Sequence, residues 1–247
     1  MKLADHLKII IAAELDDSKQ IVRWRHLGTA FHIGGGGMIA TCSHIIKSKN
    51  DNEELFALTA TDQRTLAPLE EIICHPKYDF AVAKIDGPGL HFPLIYSGER
   101  LYVGDELWAF SYFNAGSSPP GYAPNFQGRL FKGYIASLFH QERQGVSPST
   151  CEISFPSIAG FSGAPLLHPR DCILGMLYGN SESTIELYRY EEVINQSNKR
   201  AESIHRLVEF GLAHSAMDIR RFLREMGIHN VPDGPSEAAL NTHHPFM

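Results

Sequence analysis

The stretch GFSGAP at residues 160–165 decides the fold, together with two shorter runs upstream of it. The run TCSH at residues 41–44 places a histidine after small residues, and the run DFAV at residues 79–82 places an aspartate before apolar ones. A serine hydroxyl is a weak nucleophile at pH 7 and needs a base to take its proton and an acid to orient that base. The chain therefore contains, in the order histidine, aspartate, serine, the three parts of a nucleophilic hydrolase.

These motifs, in this order, resemble those of the chymotrypsin-like (trypsin-like) serine peptidases. The family motifs are a small-residue run that ends in Ala-His, an Asp-Ile-Ala-Leu run and Gly-Asp-Ser-Gly-Gly-Pro. In addition, GTAF at residues 28–31 resembles the family's Gly-Thr-Gly-Phe strand, and GMLYGN at residues 175–180 resembles the strand that lines its specificity pocket. The resemblance extends over about residues 8–226.

The resemblance implies an all-β chain of two six-stranded antiparallel β-barrels with a C-terminal helix. We expect an N-terminal barrel at residues 1–90, a C-terminal barrel with the closing helix at residues 91–228, and a flexible tail at residues 229–247. The run DGPG at residues 86–89 is the best linker between the barrels, because glycine and proline interrupt regular structure.

The pattern of β-branched and aromatic residues between turn formers independently favours short strands in a sandwich or barrel. One helix is also predicted: Ser215 is an N-cap with Asp218 three residues later, an apolar stripe follows, and Gly227 ends the helix. The predicted strands are residues 9–15, 21–33, 37–41, 55–61, 80–85, 106–113, 128–138, 150–155, 164–167, 173–178 and 207–212.

The resemblance assigns the roles of the three candidate catalytic residues. Ser162 is the nucleophile, His44 is the general base and then the general acid, and Asp79 accepts the His44 Nδ1–H. The backbone N–H groups of Gly160 and Ser162 form the oxyanion hole. Each residue also has a plainer interpretation: a Ser-Gly turn, a structural histidine, or a strand-capping aspartate, with Asp86 and Asp105 as rival carboxylates.

The resemblance also places four residues near the substrate side chain: Pro156, Tyr178, Gly179 and Asn180. Pro156 stands six residues before the serine, where trypsin-type enzymes carry an aspartate, so a basic side chain is not expected there. We expect a small, medium apolar or polar side chain in the pocket.

One position departs from the motif of the activated members of the family. Phe161 stands where those members have an aspartate that pairs with a newly cut N-terminus, and no Arg/Lys-Ile-Val-Gly-Gly activation site precedes the first strand. The chain is in this respect similar to bacterial or organellar members, such as the high-temperature-requirement and glutamyl-endopeptidase groups, that are made without this switch.

Composition narrows the class of protein and its surroundings. The chain has 247 residues, a formal net charge of -6, 43% hydrophobic residues and four cysteines. An acidic balance disfavours nucleic acid as a partner, and no apolar run is long enough for a membrane span or a secretory signal. We expect free thiols, a cytoplasmic location, no cofactor and no metal site.

The function predicted from these motifs is a serine endopeptidase that cleaves protein or peptide substrates through an acyl-enzyme. Residues 181–203 are charged and separate two predicted strands, and we expect either a solvated excursion or a docking segment for a regulatory protein partner. The alternative function is a catalytically silent trypsin-like fold that acts as a protein-binding module. An α/β-hydrolase is disfavoured, because Pro165 and Pro169 follow the serine where that fold needs a helix.

Overall fold

The computed structural model describes residues 6–59, 62–86, 101–114, 125–140, 149–168, 172–195, 198–229 and 231. These residues form thirteen β-strands in two antiparallel sheets, and two helices. One buried apolar cluster extends through both sheets, and its largest fully buried side chains include Phe31, Phe80, Phe161 and Phe222.

The first sheet contains seven strands in the order β5-β4-β1-β2-β3-β7-β6. Its edge strands β5 and β6 follow each other in the chain with only Leu69 between them, and the Leu69 N–H donates to the Leu55 carbonyl at 3.0 Å. The sheet is therefore a curled half-barrel, and it has the six strands of the predicted barrel when β5 and β6 are counted as one bent strand. Its elements are β1 Leu7–Leu15, β2 Ile21–His32, β3 Met38–Thr41, α1 Ser43–Lys47, β4 Glu54–Thr59, β5 Asp62–Pro68, β6 Glu70–Cys74 and β7 Ala81–Lys84.

The second sheet is a closed six-stranded barrel in the order β10-β13-β12-β11-β8-β9. The predicted fold class is thereby confirmed. The predicted boundary at residue 90, three residues of the predicted linker and nearly all of the predicted tail lie outside the described residues. The barrel strands are β8 Glu106–Asn114, β9 Phe126–His140, β10 Ser149–Ile153, β11 Pro165–His168, β12 Cys172–Asn195 and β13 Asn198–Ser215.

Strands β12 and β13 continue far beyond the barrel as a two-stranded ribbon. They pair from Gly175 and Ser215 to Asn195 and Asn198, so residues 181–195 and 198–203 lie within the paired strands. The predicted strands at 173–178 and 207–212 are therefore too short. Tyr188 and Tyr190 alternate with Arg189 and Glu191, and this local period of two places the tyrosines on one face of the ribbon and the charges on the other.

The C-terminal helix α2, Ala216–Glu225, connects the second barrel to the first sheet. Its predicted N-cap is confirmed, since the Ser215 hydroxyl accepts the Asp218 N–H. The buried Phe222 ring lies 4.5 Å from the Tyr78 ring and 5.5 Å from the Phe80 ring, measured between centroids. Because Tyr78 and Phe80 flank Asp79, the helix packs directly on the segment that carries this carboxylate.

All four cysteines are unpaired, as predicted. Cys42, Cys151 and Cys172 are buried, and Cys74 is partly buried. Burial raises the pKa of the Cys151 thiol to about 12, with smaller contributions from nearby acidic groups, so this thiol stays protonated at neutral pH.

We expect Phe222→Ala to lower the free energy of unfolding by about 3–5 kcal/mol, because it removes a fully buried ring and leaves a cavity. Urea unfolding followed by tryptophan fluorescence measures this loss. The control is Met217→Ala on the same helix, whose side chain is 43% exposed. A loss for Phe222→Ala no larger than for Met217→Ala would contradict the packing described above.

Candidate active site

The pairing of β3 with β7 brings His44 and Asp79 together. Thr41 at the end of β3 lies opposite Ala81 at the start of β7. Because the two strands run antiparallel, the residues that follow Thr41 and those that precede Ala81 leave the sheet at the same point. His44 leaves it on the short helix α1, and Asp79 lies on the loop before β7.

Three donors hold the Asp79 carboxylate in place. His44 Nδ1 lies 2.6 Å from Asp79 Oδ2, and the His44 backbone N–H donates to Oδ1 at 2.8 Å. The Ser43 hydroxyl donates to the same Oδ1 at 3.0 Å. Burial favours the protonated acid, but the bonds from His44 and Ser43 outweigh it and hold the pKa of Asp79 below its usual value. An ionised Asp79 fixes the proton of a neutral His44 ring on Nδ1 and leaves Nε2 free to accept another.

Ser162 lies in a tight turn between β10 and β11. The Phe161 N–H donates to the Ile158 carbonyl at 2.9 Å, and the Ala164 N–H donates to the Phe161 carbonyl at 2.9 Å. Gly163 has a φ of +80°, and a β-carbon at this position would lie 2.0 Å from the Thr29 carbonyl oxygen. Only glycine therefore fits between this turn and β2.

The turn is bonded to the first sheet beside the His44 helix. The Thr29 N–H donates to the Ser162 carbonyl at 2.9 Å, and the Cys42 thiol donates to the Leu177 carbonyl at 3.3 Å. The same Leu177 carbonyl accepts the Gly163 N–H at 2.8 Å. The segment that carries Ser162 and the segment that leads to His44 thus meet at one seam between the two sheets.

The hydroxyl of Ser162 makes no hydrogen bond to His44 or to any other residue in the part of the chain that the structure describes. The N–H groups of Gly160 and Ser162 likewise donate to no acceptor among those residues. Catalytic hydrogen bonds are often long in unliganded enzymes and tighten when substrate binds. The turn therefore leaves one hydroxyl and two backbone N–H donors available to a ligand.

Phe161 is anchored in the apolar interior of the second barrel. Its side chain is fully buried, with its ring centroid 5.1 Å from that of Phe131, which in turn stacks on Phe155 at 5.2 Å. A buried aspartate at this place would need a cationic partner. Aromatic packing therefore holds the turn at this position without any ion pair from residue 161.

The four predicted substrate-binding residues lie on the two segments that flank this turn. The Ser157 N–H donates to Asn180 Oδ1 at 2.6 Å, and Asn180 Nδ2 donates to the Ser157 carbonyl at 3.0 Å. Asn180 thus ties β12 to the residue that follows Pro156. A β-carbon on Gly179 would meet no atom within 4 Å, so there is empty space next to this residue.

His214 was not predicted from the sequence, yet it supports both sides of the site. Its ring stacks on Tyr178 at a centroid distance of 4.3 Å, and its Nε2 lies 3.3 Å from the Asp79 carbonyl oxygen. Burial lowers the pKa of His214 to about 4, so the ring is neutral at pH 7. Nothing in the sequence distinguishes this histidine from the other twelve, because its role depends on β13 passing beneath Asp79.

Cys42, His44 and Asp79 are a group of potential metal ligands whose donor atoms lie within 4.8 Å of one another. Burial raises the pKa of the Cys42 thiol well above its usual value, and the thiol donates its proton to Leu177. A metal would require the thiolate and one of the atoms already engaged between His44 and Asp79. The arrangement therefore suits a hydrogen-bonded histidine–carboxylate pair better than a metal centre.

Comparison with known proteins agrees with this geometry. A family model described as a trypsin-like peptidase domain matches residues 28–176, a segment that includes His44, Asp79 and Ser162. The chain belongs to the trypsin-like peptidase family. The match ends before Tyr178, so most of the ribbon and helix α2 lie beyond it.

Several solved protease structures have a similar fold. The inactive form of a serine-to-alanine mutant of Rv3671c from M. tuberculosis H37Rv is 16% identical, with a TM-score of 0.58 over 94% of this chain and 90% of that one. The active form of the Rv3671c protease has a TM-score of 0.56 at 16% identity, over 94% of this chain and 85% of that one. The HtrA-type protease AlgW with a decapeptide is also 16% identical, with a TM-score of 0.57 over 91% of this chain and 66% of that one. No curated protein matches the chain.

Within the described ranges, neither helix has the length or the apolar character needed to pass through a bilayer.

We expect the stability of this trypsin-like peptidase domain to fall as the pH drops from about 6.5 to 4. Burial, with the charges of Lys8 and His6, also lowers the pKa of His32 to about 4. Between pH 6.5 and pH 4 these two histidines are protonated in the unfolded chain but still neutral in the folded one. The free energy of unfolding therefore decreases by about 3 kcal/mol for each of His32 and His214 over this range. Urea unfolding at several pH values measures this slope.

Replacement of His214 by phenylalanine should flatten that pH dependence, since the variant has no proton to take up. The matched control is His205→Gln, because His205 is exposed on the ribbon. An unchanged slope in His214→Phe would contradict the assignment of His214 as a buried neutral group.

Proposed function

We propose that this protein is a serine endopeptidase that uses His44, Asp79 and Ser162 as a catalytic triad. The observation that carries the proposal is the 2.6 Å contact between His44 Nδ1 and the ionised Asp79 carboxylate. It lies at the seam where the Ser162 turn is bonded to the first sheet. The membership of the trypsin-like peptidase family supports the same assignment.

In this mechanism His44 Nε2 accepts the proton of the Ser162 hydroxyl as Oγ attacks the peptide carbonyl carbon. The carbonyl oxygen becomes an oxyanion that the N–H groups of Gly160 and Ser162 stabilise, and each such donor is typically worth about 3 kcal/mol. His44 then gives its proton to the leaving amine, which departs and leaves an ester on Ser162. Asp79 stays ionised throughout and stabilises the imidazolium.

Water completes the cycle. His44 takes a proton from a water molecule, whose oxygen attacks the ester carbonyl and forms a second oxyanion. Collapse of this intermediate breaks the bond to Ser162 Oγ, which recovers its proton from His44. The carboxylic acid product leaves, and the enzyme returns to its starting state without any cofactor.

We expect Ser162→Ala to reduce peptide hydrolysis by about 10⁶-fold, because no other group can form the acyl-enzyme. The change leaves the free energy of unfolding nearly unaltered, since the hydroxyl has no bond to lose among the described residues. Hydrolysis of a casein substrate and covalent labelling by a fluorophosphonate measure the loss. Retained hydrolysis or labelling in this variant would remove Ser162 from the mechanism.

Asn180 supports a preference for a small side chain on the amino side of the cleaved bond. Its carboxamide spans from β12 to Ser157, which stands five residues before the nucleophile. A large substrate side chain that entered between these two segments would have to displace both hydrogen bonds.

We therefore expect Asn180→Gly to increase the kcat/KM ratio of phenylalanine over alanine substrates at this position by about tenfold, a change of about 1.4 kcal/mol. Matched peptide esters that differ only in this side chain measure the ratio. Glu182→Gly is the control, since Glu182 is an exposed residue two positions further along the same strand. An equal ratio in the wild type and in Asn180→Gly would contradict the role of Asn180 as a barrier.

The ribbon supports a further part of the proposal, a regulatory protein partner that docks on residues 181–203. Tyr188 lies opposite Ile204, Ile185 opposite Arg206 and Tyr190 opposite Glu202, so these three pairs share one face. Ile185, Tyr188, Tyr190 and Ile204 are each about half exposed. A cluster of exposed apolar side chains flanked by charged ones is typical of interaction sites.

The alternative function, a catalytically silent binding module, is favoured by the missing hydrogen bond between Ser162 and His44. Fluorophosphonate labelling of the purified chain discriminates between the two functions, because labelling needs an activated serine. Labelling of the chain alone supports the peptidase, and labelling that needs added partner supports a regulated one. We further propose a reducing compartment such as the cytoplasm, which the four free thiols support.

A further inference from the structure

Two buried hydroxyl groups converge on the carbonyl oxygen of Gly160. The Thr29 hydroxyl oxygen lies 2.7 Å from it and the Ser111 hydroxyl oxygen 2.6 Å from it, and the two hydroxyl oxygens lie 2.6 Å apart. Thr29 comes from β2 of the first sheet and Ser111 from β8 of the second barrel, and neither is exposed to solvent. The carbonyl is therefore held from both halves of the molecule at once.

Both hydroxyls are needed for this arrangement. Each has one proton to donate, so either both donate to the carbonyl, or one donates to the carbonyl while the other donates to the first hydroxyl. Removal of one hydroxyl leaves the other in a dry site with fewer partners, which is costly for a buried polar group.

Thr29 also holds the residue on the other side of Phe161. Its backbone N–H donates to the Ser162 carbonyl at 2.9 Å, and its own carbonyl accepts the Thr41 hydroxyl at 2.7 Å. One buried residue thus fixes the carbonyls of both Gly160 and Ser162, the two residues whose N–H groups are the candidate oxyanion hole.

Three consecutive peptide groups of the turn are held in this way. The carbonyl of Gly160 is bound by the two hydroxyls, that of Phe161 by the Ala164 N–H, and that of Ser162 by the Thr29 N–H. A trans peptide group is planar, so a carbonyl held in one direction points the N–H of the next residue in the opposite direction. The Ser162 N–H is oriented by the bond from Ala164 to Phe161.

The Gly160 N–H belongs to the next peptide group towards the N-terminus, and its direction depends on rotation about Gly160. That residue has a φ of +93°, a region that glycine enters and leaves at little cost. The backbone can rotate at such a glycine unless the carbonyl that follows its Cα is held in place. The hydroxyls of Thr29 and Ser111 hold this carbonyl of Gly160.

We propose that Thr29 and Ser111 are positioning residues that fix Gly160 so that its N–H and that of Ser162 point to the same place. This inference rests on the proposed peptidase function. The hydroxyls touch neither substrate nor reacting atoms, and they act through the Gly160 carbonyl. Together with the buried Phe161 ring they hold the turn in a chain that lacks the family's aspartate at position 161.

Loss of either hydroxyl should weaken the binding of the transition state. The oxyanion exists only after the nucleophile has attacked, so a displaced N–H donor weakens transition-state binding and leaves substrate binding nearly unaltered. Removal of an oxyanion donor costs about 10²–10³ in kcat, and displacement of one should cost less, about ten- to hundredfold. The expected signature is a lower kcat with an unchanged KM.

Thr29→Val and Ser111→Ala test the inference by steady-state hydrolysis of a peptide ester. Valine keeps the shape of threonine and the backbone bond to Ser162, so it removes only the hydroxyl. We expect kcat to fall about ten- to hundredfold in each variant with KM changed less than about twofold, and Thr29→Ser to recover most of the activity. Thr59→Val is the matched control, because its hydroxyl binds Lys8 at 2.8 Å in the same sheet but away from the turn.

Active-site titration with a fluorophosphonate gives the fraction of folded, reactive enzyme in each preparation and corrects kcat for it. The inference is overturned if the corrected kcat of Thr29→Val and Ser111→Ala equals that of the wild type, if KM rises while kcat holds, or if Thr29→Ser is as impaired as Thr29→Val. A wild-type protein that neither hydrolyses the ester nor reacts with the fluorophosphonate overturns the proposed function itself, and this inference with it.

Discussion

The hydrogen bond from the Thr29 N–H to the Ser162 carbonyl is the contact on which the site depends. It joins the central strand of the first sheet to the Ser162 turn of the second barrel. Each sheet has its own ladder of backbone bonds, so nothing within either sheet requires a particular distance between His44 and Ser162. That distance is set by the seam, where Thr29, the Gly163 position and Leu177 fit against one another without space for a β-carbon.

The C-terminal helix stabilises the seam from the opposite side. Phe222 packs on Tyr78 and Phe80, and His214 lies between Tyr178 and the Asp79 carbonyl. The carboxylate is thus held at its side chain by the histidine helix and at its backbone by the second barrel. Aromatic packing and one backbone contact perform this task, and neither is an attraction between exposed charges that salt would screen.

The ribbon formed by β12 and β13 is the feature that most distinguishes this chain from a minimal two-barrel fold. Two paired strands alone are only marginally stable in water. The ribbon starts at Tyr178, Gly179 and Asn180, so it is continuous with the β12 segment whose Leu177 carbonyl is bonded to the Ser162 turn. Composition alone predicted an exposed excursion, and the exposure is correct. The strand pairing was missed because the five glutamates of residues 181–203 obscured the shared spacing of Tyr188, Tyr190 and Ile204.

Several features followed from local sequence. The three motifs around His44, Asp79 and Ser162, the capped helix after Ser215 and most strand positions each depend on residues that are neighbours in the chain, and these were predicted. Strands β5 and β6 were missed because polar residues such as Asp62 and Glu70 obscure them, and the helix that carries His44 is too short to show a period.

Only the tertiary structure decided which residues far apart in sequence contact one another. Thr29 meets Ser111 and Gly160, His214 meets Asp79, and Asn180 meets Ser157. A threonine, a histidine or an asparagine carries no local signal of its partner, because a hydrogen bond depends on where strands of two sheets come to lie. The sequence by itself determined which chemical groups are available and on which kind of element each one stands. The packing of the two sheets determined which of those groups are close enough to act together.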